Sequence, residues 1–191
     1  MDVFINKTKF EIDLDELSKD EILEKVRKEL EDEIIDRIYL DEVEVSLDYF
    51  KENSIKLDKI DEVTFLTKTN DVLIEETLQQ AEGYLPKLKE ALNQAADLYK
   101  SKSLNKAADK LDQCLDGLEW YTEAMSGIYN LIDEEEVSDT GKDLLDKMNK
   151  ANSRAMVAMQ NENYDYLSDI IKFEIVDYLD KLNDLNSELL E

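Results

Sequence analysis

Residues 62–81, EVTFLTKTNDVLIEETLQQA, carry two rhythms. In the first half Val63 and Phe65 alternate with Thr64 and Leu66, the two-residue period of a strand with one face turned inward. From Asn70 onward Ile74, Leu78 and Ala81 recur at spacings of four and three, the period of a helix. Asn70 is the expected N-cap, and Asp71 complements the helix dipole. The change of period divides the chain into residues 1–69, rich in strands, and residues 70–191, all helix and turn.

Upstream of this junction the two-residue pattern continues. Met1, Val3 and Ile5 alternate with Asp2 and Phe4, and Asn6-Lys7 tolerates the positive φ of a hairpin turn at its first position. Phe10, Ile12 and Leu14 are the expected return strand. Ser18 and Glu21 form an S-x-x-E capping box ahead of a helix whose apolar stripe is Leu23, Val26 and Leu30. Residues 37–40 and 43–45 flank Asp41-Glu42 as a second hairpin. Leu47 and Ile55 are expected to anchor an irregular turn before the strand at 62–67.

The segments MDVFI, KFEIDL, the helix stripe, RIYLDEVEV and EVTFLTKT follow ubiquitin in order, length and inward alternation. Residues 1–69 therefore resemble a ubiquitin-like β-grasp domain, about a third of the chain. The resemblance implies partner binding through an apolar patch on the open sheet face, carried by register to Tyr39 and Leu66, with Phe4 and Thr64 beside them. The residues themselves agree that these positions lie opposite the inward set Val3, Ile5, Ile38, Leu40, Val63 and Phe65. Two occupants of that patch remain open, a partner or the chain's own helical domain. A conjugated modifier ends in a flexible tail with two glycines. Here the strand runs through Thr67-Lys68-Thr69-Asn70 into a helix, which argues against conjugation.

Past residue 70 the apolar seams are long. The first helix repeats Ile74, Leu78, Ala81, Leu85, Leu88, Leu92, Ala95 and Tyr99, with Gly83 and Pro86 expected to kink it. Ser103 is expected to cap a second, with Ala107, Leu111, Cys114, Leu118, Tyr121, Met125, Ile128 and Ile132 as its seam. Residues 134–141 are expected to connect to a third, marked by Leu144, Met148, Ala151, Ala155 and Ala158. After a break at 161–163, Leu167, Ile171, Ile175, Tyr178, Leu182, Leu185 and Leu189 mark a fourth, with an irregular step before Ile175. The expected fold is α+β: a β-grasp-like domain (ββαββ, residues 1–69) followed by an antiparallel up-and-down four-helix bundle (residues 70–191).

Composition bounds the function. The net charge is −25, with 11 basic and 21 acidic residues before position 70 and 12 and 27 after it. Such a surface repels phosphate backbones and anionic membranes, so neither nucleic acid nor membrane is an expected partner. No stretch approaches the roughly 20 apolar residues of a membrane helix. The start of the chain lacks a secretory pattern, and the single cysteine, Cys114, cannot form an intrachain disulfide, so a cytoplasmic protein is expected.

There is no histidine, which removes the commonest general base and metal ligand. No phosphate-cradling glycine motif exists, and the acidic stretch 133–143 lacks the order of a calcium loop. Cys114 lies on the helix seam as a core residue. Glu174, flanked by Phe173 and Ile175, is the carboxylate to watch; the sequence leaves open whether it is buried and paired, for instance with a Lys or Tyr, and a structural bond is expected ahead of catalysis. No catalytic site, metal or cofactor is expected. A second surface candidate is the helical stripe Gly117, Trp120, Ala124 and Gly127, where small residues bracket the only tryptophan and leave either internal packing or a docking groove. The expectation is a non-catalytic adaptor or chaperone-like protein that binds another protein. The alternatives are a homo-oligomer assembling through its helices and an acidic mimic of DNA.

Overall fold

A computed structural model describes residues 1–12, 18–31, 33–52 and 56–190, apart from the side chain of residue 58. Leu14 and Ile55 lie outside the described residues. Contacts divide the chain into two units, Met1–Leu73 and Ile74–Glu191.

The first unit is a five-stranded mixed sheet with strand order β2-β1-β5-β3-β4. β1 (Asp2–Ile5) turns at Asn6, whose φ of 55° its side chain accommodates, into the two-residue β2 (Thr8–Lys9). β2 is shorter than the expected return strand, although Phe10 and Ile12 still pack against the core. Ser18 caps α1 (Lys19–Glu29) with both halves of the capping box in place. β3 (Glu33–Leu40) starts four residues earlier than the pattern suggested and carries an irregularity between Ile35 and Arg37. Asp41 and Glu42, at φ 46° and 70°, turn it into β4 (Val43–Val45). α2 (Leu47–Lys51) is capped by Ser46, and β5 (Glu62–Thr69) runs parallel to β1 and antiparallel to β3. The core joins Val3, Ile38, Leu40, Val63 and Phe65 of the sheet to Ile22, Leu23, Val26 and Leu30. Phe50, fully buried, closes it with an edge-on contact to Phe65 at 5.8 Å, whereas Leu47 is 36% exposed. The small mixed sheet followed by helices is compatible with a β-grasp-like start.

α3 (Asn70–Lys100) follows β5 directly. The Thr69 hydroxyl, not Asn70, accepts from the Val72 N–H, and Asn70 is the first helical residue, its buried Oδ1 meeting no donor among the described residues. Pro86 lies inside this helix without dividing it. α4 (Leu104–Leu131) begins after Ser103, whose hydroxyl makes no capping bond. α5 (Glu135–Gln160) takes in most of the stretch expected to be a connection, and Leu145, rather than Leu144, is buried. After Asn163 caps α6 (Tyr164–Ile170), a π-helical turn (Ile171–Ile175) leads into α7 (Val176–Leu189). The π turn stands where the sequence shows its irregular step. Among the described residues no helix is long and apolar enough to cross a membrane.

Pairings fix the directions of these helices. Asp97 to Lys172 at 2.9 Å, Lys100 to Asp169 at 3.1 Å and Lys102 to Asp165 at 2.9 Å run α3 antiparallel to the last helix. These pairs are half-exposed, so each adds little stability and mainly records alignment. Buried polar groups do more. Ser168 Oγ donates to the Ala96 carbonyl at 2.8 Å. Tyr129 Oη donates to Asn186 Oδ1 at 2.6 Å, and Asn186 Nδ2 reaches Tyr121 Oη at 3.2 Å. Burial pushes both phenols well above their usual pKa, so both stay protonated, Tyr129 donating to Asn186 and Tyr121 accepting from it.

Gly141 lets α5 close on α4. A Cβ there would stand 2.5 Å from the Tyr129 ring, which is buried and held through its hydroxyl. A Cβ on Gly127 would meet nothing within 4 Å. Gly127→Ala is therefore expected to stabilise by up to about 1 kcal/mol through helix propensity. Gly141→Ala gains the same term but overpacks an immobile ring, for a net loss of about 1–2 kcal/mol. Urea unfolding followed by Trp120 fluorescence compares them. A Gly141→Ala variant as stable as Gly127→Ala would contradict the close approach.

Candidate functional site

α4 and α5 meet tightly at the Tyr129–Gly141 end, next to the short connection that joins them. Towards the other end they part, and a groove of about 650 Å³ opens between them. Its α4 wall is Leu111, Leu115, Leu118 and Thr122 at helical spacing, with Leu111 and Leu118 shared with the buried seam and Leu115 and Thr122 beside it. Its α5 wall is Asn149, Asn152, Met156 and Met159. The floor is the interior of the helical unit, including Leu92, Leu167, Ile171 and Ile175. α5 presents Ala151, Ala155 and Ala158 towards the interior, and side chains this small leave the gap unfilled.

Large apolar side chains stand open at the groove. Leu115 is 50% exposed and Met156 58%, and Met159 is also exposed. Thr122 spends its hydroxyl on the Leu118 carbonyl of its own helix at 2.7 Å. Glu119 and Glu123 stand at the α4 rim, and no Lys or Arg lines the groove. Together with Asp112 and Asp116 they form a row at spacings of four, three and four. Among the described residues none of these four carboxylates pairs with a cation. Nearby cations on α5 are engaged, Lys150 with Asp146 and Arg154 with Glu174.

The expected sheet-face residues fall in register. Phe4 pairs with Thr64, Thr64 with Tyr39 and Leu66 with Arg37, so Phe4, Tyr39 and Leu66 share one face. All three are half-buried. The Tyr39 hydroxyl donates to Glu44 at 3.0 Å, and the Asp2–Lys9 pair closes one edge of the row. The patch is small and rimmed by charge.

The second expected stripe does not hold together as one surface. Tyr84 of α3 lies against Gly117, where any Cβ would collide with its ring, and packs edge-on against Trp120 at 5.3 Å. Trp120 and Ala124 are half-buried, while Gly127 faces open space. The glycine and the tryptophan thus serve contact between α3 and α4.

Glu174 is half-exposed and pairs with Arg154 rather than with a Lys or Tyr. Cys114 is buried, its thiol bonded to the Lys110 carbonyl at 3.2 Å and raised in pKa by burial, as an unreactive core thiol is. Among the described residues no three carboxylates or thiols stand close enough to hold a metal ion.

The α4/α5 groove is the feature that sequence reading missed. Its signal was present as Leu115 on α4 and Met156 and Met159 on α5, large apolar residues displaced from the main seam of their helices. No curated protein and no solved structure matches the chain. A family model described as a domain of unknown function, DUF8042, matches residues 76–185, which contain every residue of the groove; the match spans more than half of the chain, and the chain belongs to that family.

Proposed function

We propose that this protein is a non-catalytic adaptor or chaperone-like protein that binds another protein through the groove between α4 and α5. The observation that carries the reading is the exposure of Leu115, Met156 and Met159 directly over the interior of the helical unit. An exposed apolar concavity of this kind costs solubility unless something occupies it. Methionine suits such a surface, because its unbranched, polarizable side chain adapts to partners of varied shape. The lack of histidine and the burial of Cys114 support a binding role rather than catalysis. A cytoplasmic setting fits the single cysteine.

The finer architecture belongs to the same reading. A ubiquitin-like β-grasp domain is supported by β1 and β5 running parallel at the centre of the mixed sheet, with α1 contributing to the core. An up-and-down four-helix bundle is supported by α3 running antiparallel to the last helix and by the short connections between successive helices. The sheet patch of Phe4, Tyr39 and Leu66 is a smaller contact surface, and the Trp120 face is the weaker candidate of the two.

Affinity capture with the full chain tests the groove. Wild type is expected to retain a set of proteins that Leu115→Glu/Met156→Glu loses, while Tyr39→Ser/Leu66→Ser keeps most of it. Recovery of the same set by the groove variant would remove this reading. Loss confined to the Tyr39/Leu66 variant would move the binding surface to the sheet.

A further inference from the structure

We propose that the occupant of the α4/α5 groove is a basic amphipathic α-helix of a partner protein. The inference rests on the protein-binding reading above and names the class of partner.

Backbone chemistry selects a helix over an extended peptide. Both groove walls are helices, so their N–H and C=O groups are already paired and offer no edge to a strand. An extended peptide laid on Leu115 and Met156 would bury its own amides unpaired against apolar atoms, which opposes binding. A helix arrives with its backbone satisfied and needs only an apolar stripe. The α4 wall from Leu111 to Thr122 rises about 16 Å, three turns, which matches a stripe at positions i, i+4, i+7 and i+11.

Charge selects the sign of the partner. Glu119 and Glu123 stand at the rim of the apolar α4 wall, whereas Asp116 lines the separate hollow beside Tyr84 and Trp120. No Lys or Arg lines the groove. A helix carrying Lys or Arg along its α4-facing flank would therefore meet the uncommitted carboxylates of Glu119 and Glu123, which raises the encounter rate and orients the bound helix. The same pair repels a fatty-acid carboxylate. It repels a second copy of this chain as well, since that copy brings a net charge of −25.

The test uses the full chain and a capped synthetic peptide of about 18 residues, long enough to hold a helix, with leucines on one face and lysines elsewhere. One control has the same composition with the leucines scattered around the helix, and another replaces the lysines by glutamines. Isothermal titration is expected to give one site for the amphipathic Leu/Lys peptide, at least about tenfold tighter than the scattered one. Hydrogen exchange should show protection confined to residues 111–122 and 149–159. Glu119→Gln/Glu123→Gln should weaken binding about tenfold. Leu115→Ser/Met156→Ser, at positions exposed enough to leave the fold intact, should reduce it to the level of the scattered peptide.

Equal affinity for the scattered peptide would reduce the interaction to net charge and overturn the proposal. Equal affinity of the Leu/Gln peptide at the groove would overturn the basic partner while leaving protein binding in place. Palmitate protecting the same segments, with no peptide bound there, would overturn both.

Discussion

Phe50→Ala is expected to destabilise the Met1–Leu73 unit by about 4 kcal/mol, the range for truncating a fully buried aromatic. Phe50 has no exposed surface and meets Phe65 edge to face at 5.8 Å, so truncation removes both transfer free energy and a specific ring contact. A unit of this size has little stability in reserve, because a small domain buries a smaller share of its surface. Amide exchange in β1, β3 and β5 should accelerate by about a thousandfold where it proceeds through opening of the unit. Leu47→Ala, three residues away on the same short helix but 36% exposed, should change exchange by less than about tenfold. Similar effects from the two variants would mean that Phe50 does not close this core.

That contrast shows where sequence periodicity stops being informative. α2 spans five residues, Leu47–Lys51, too few to establish a helical period, so the pattern pointed to Leu47 as the anchor where the structure buries Phe50 instead. Its cap, Ser46, is the only local sign of a helix start. Long elements behaved differently. Of the expected stripe, Leu78, Ala81, Leu85, Leu88, Leu92, Ala95 and Tyr99 are buried and only Ile74, in the first turns, is half-buried, and β5 alternates Val63 and Phe65 inward as its sequence requires. The junction at Thr69–Asn70 was legible because two well-formed rhythms abut there.

The surfaces were less legible than the core because each is made by a pair of elements. A stripe of small residues at Gly117 signals close approach, but nothing in α4 says that the arriving group is Tyr84 of α3. The groove depends on α4 and α5 diverging, and divergence is a property of how Gly141 and Tyr129 fit at one end and three alanines fail to fill the other. In the last helix the irregular step was visible, yet its consequence was not. One π turn at Ile171–Ile175 rotates everything downstream, so Leu179 and Asn186 are buried while Tyr178, Leu185 and Leu189 are only half-buried. An extrapolated coil rhythm cannot anticipate that a polar residue will be turned inward.

Asn186→Ala is expected to cost the helical unit about 3 kcal/mol, from two effects that separate experimentally. The first is a cavity, because Asn186 is almost fully buried between α4 and α7. The second is the loss of partners for the hydroxyls of Tyr121 and Tyr129, both on side chains without exposed surface. Burial has already driven these phenols far from ionisation, so neither can relieve the loss by giving up its proton to solvent near neutral pH. Asn186→Leu fills the volume and keeps the second effect, so it should still lose about 2 kcal/mol. Adding Tyr121→Phe and Tyr129→Phe removes the stranded hydroxyls, and the triple variant should recover to within about 1 kcal/mol of wild type, since replacing all partners by apolar groups is close to neutral. Urea unfolding followed by Trp120 fluorescence measures the set. If Asn186→Leu is as stable as wild type, the hydrogen bonds contribute nothing and the asparagine is merely tolerated. If the triple variant is worse than Asn186→Leu, the phenol oxygens have other partners and the cost lies in packing.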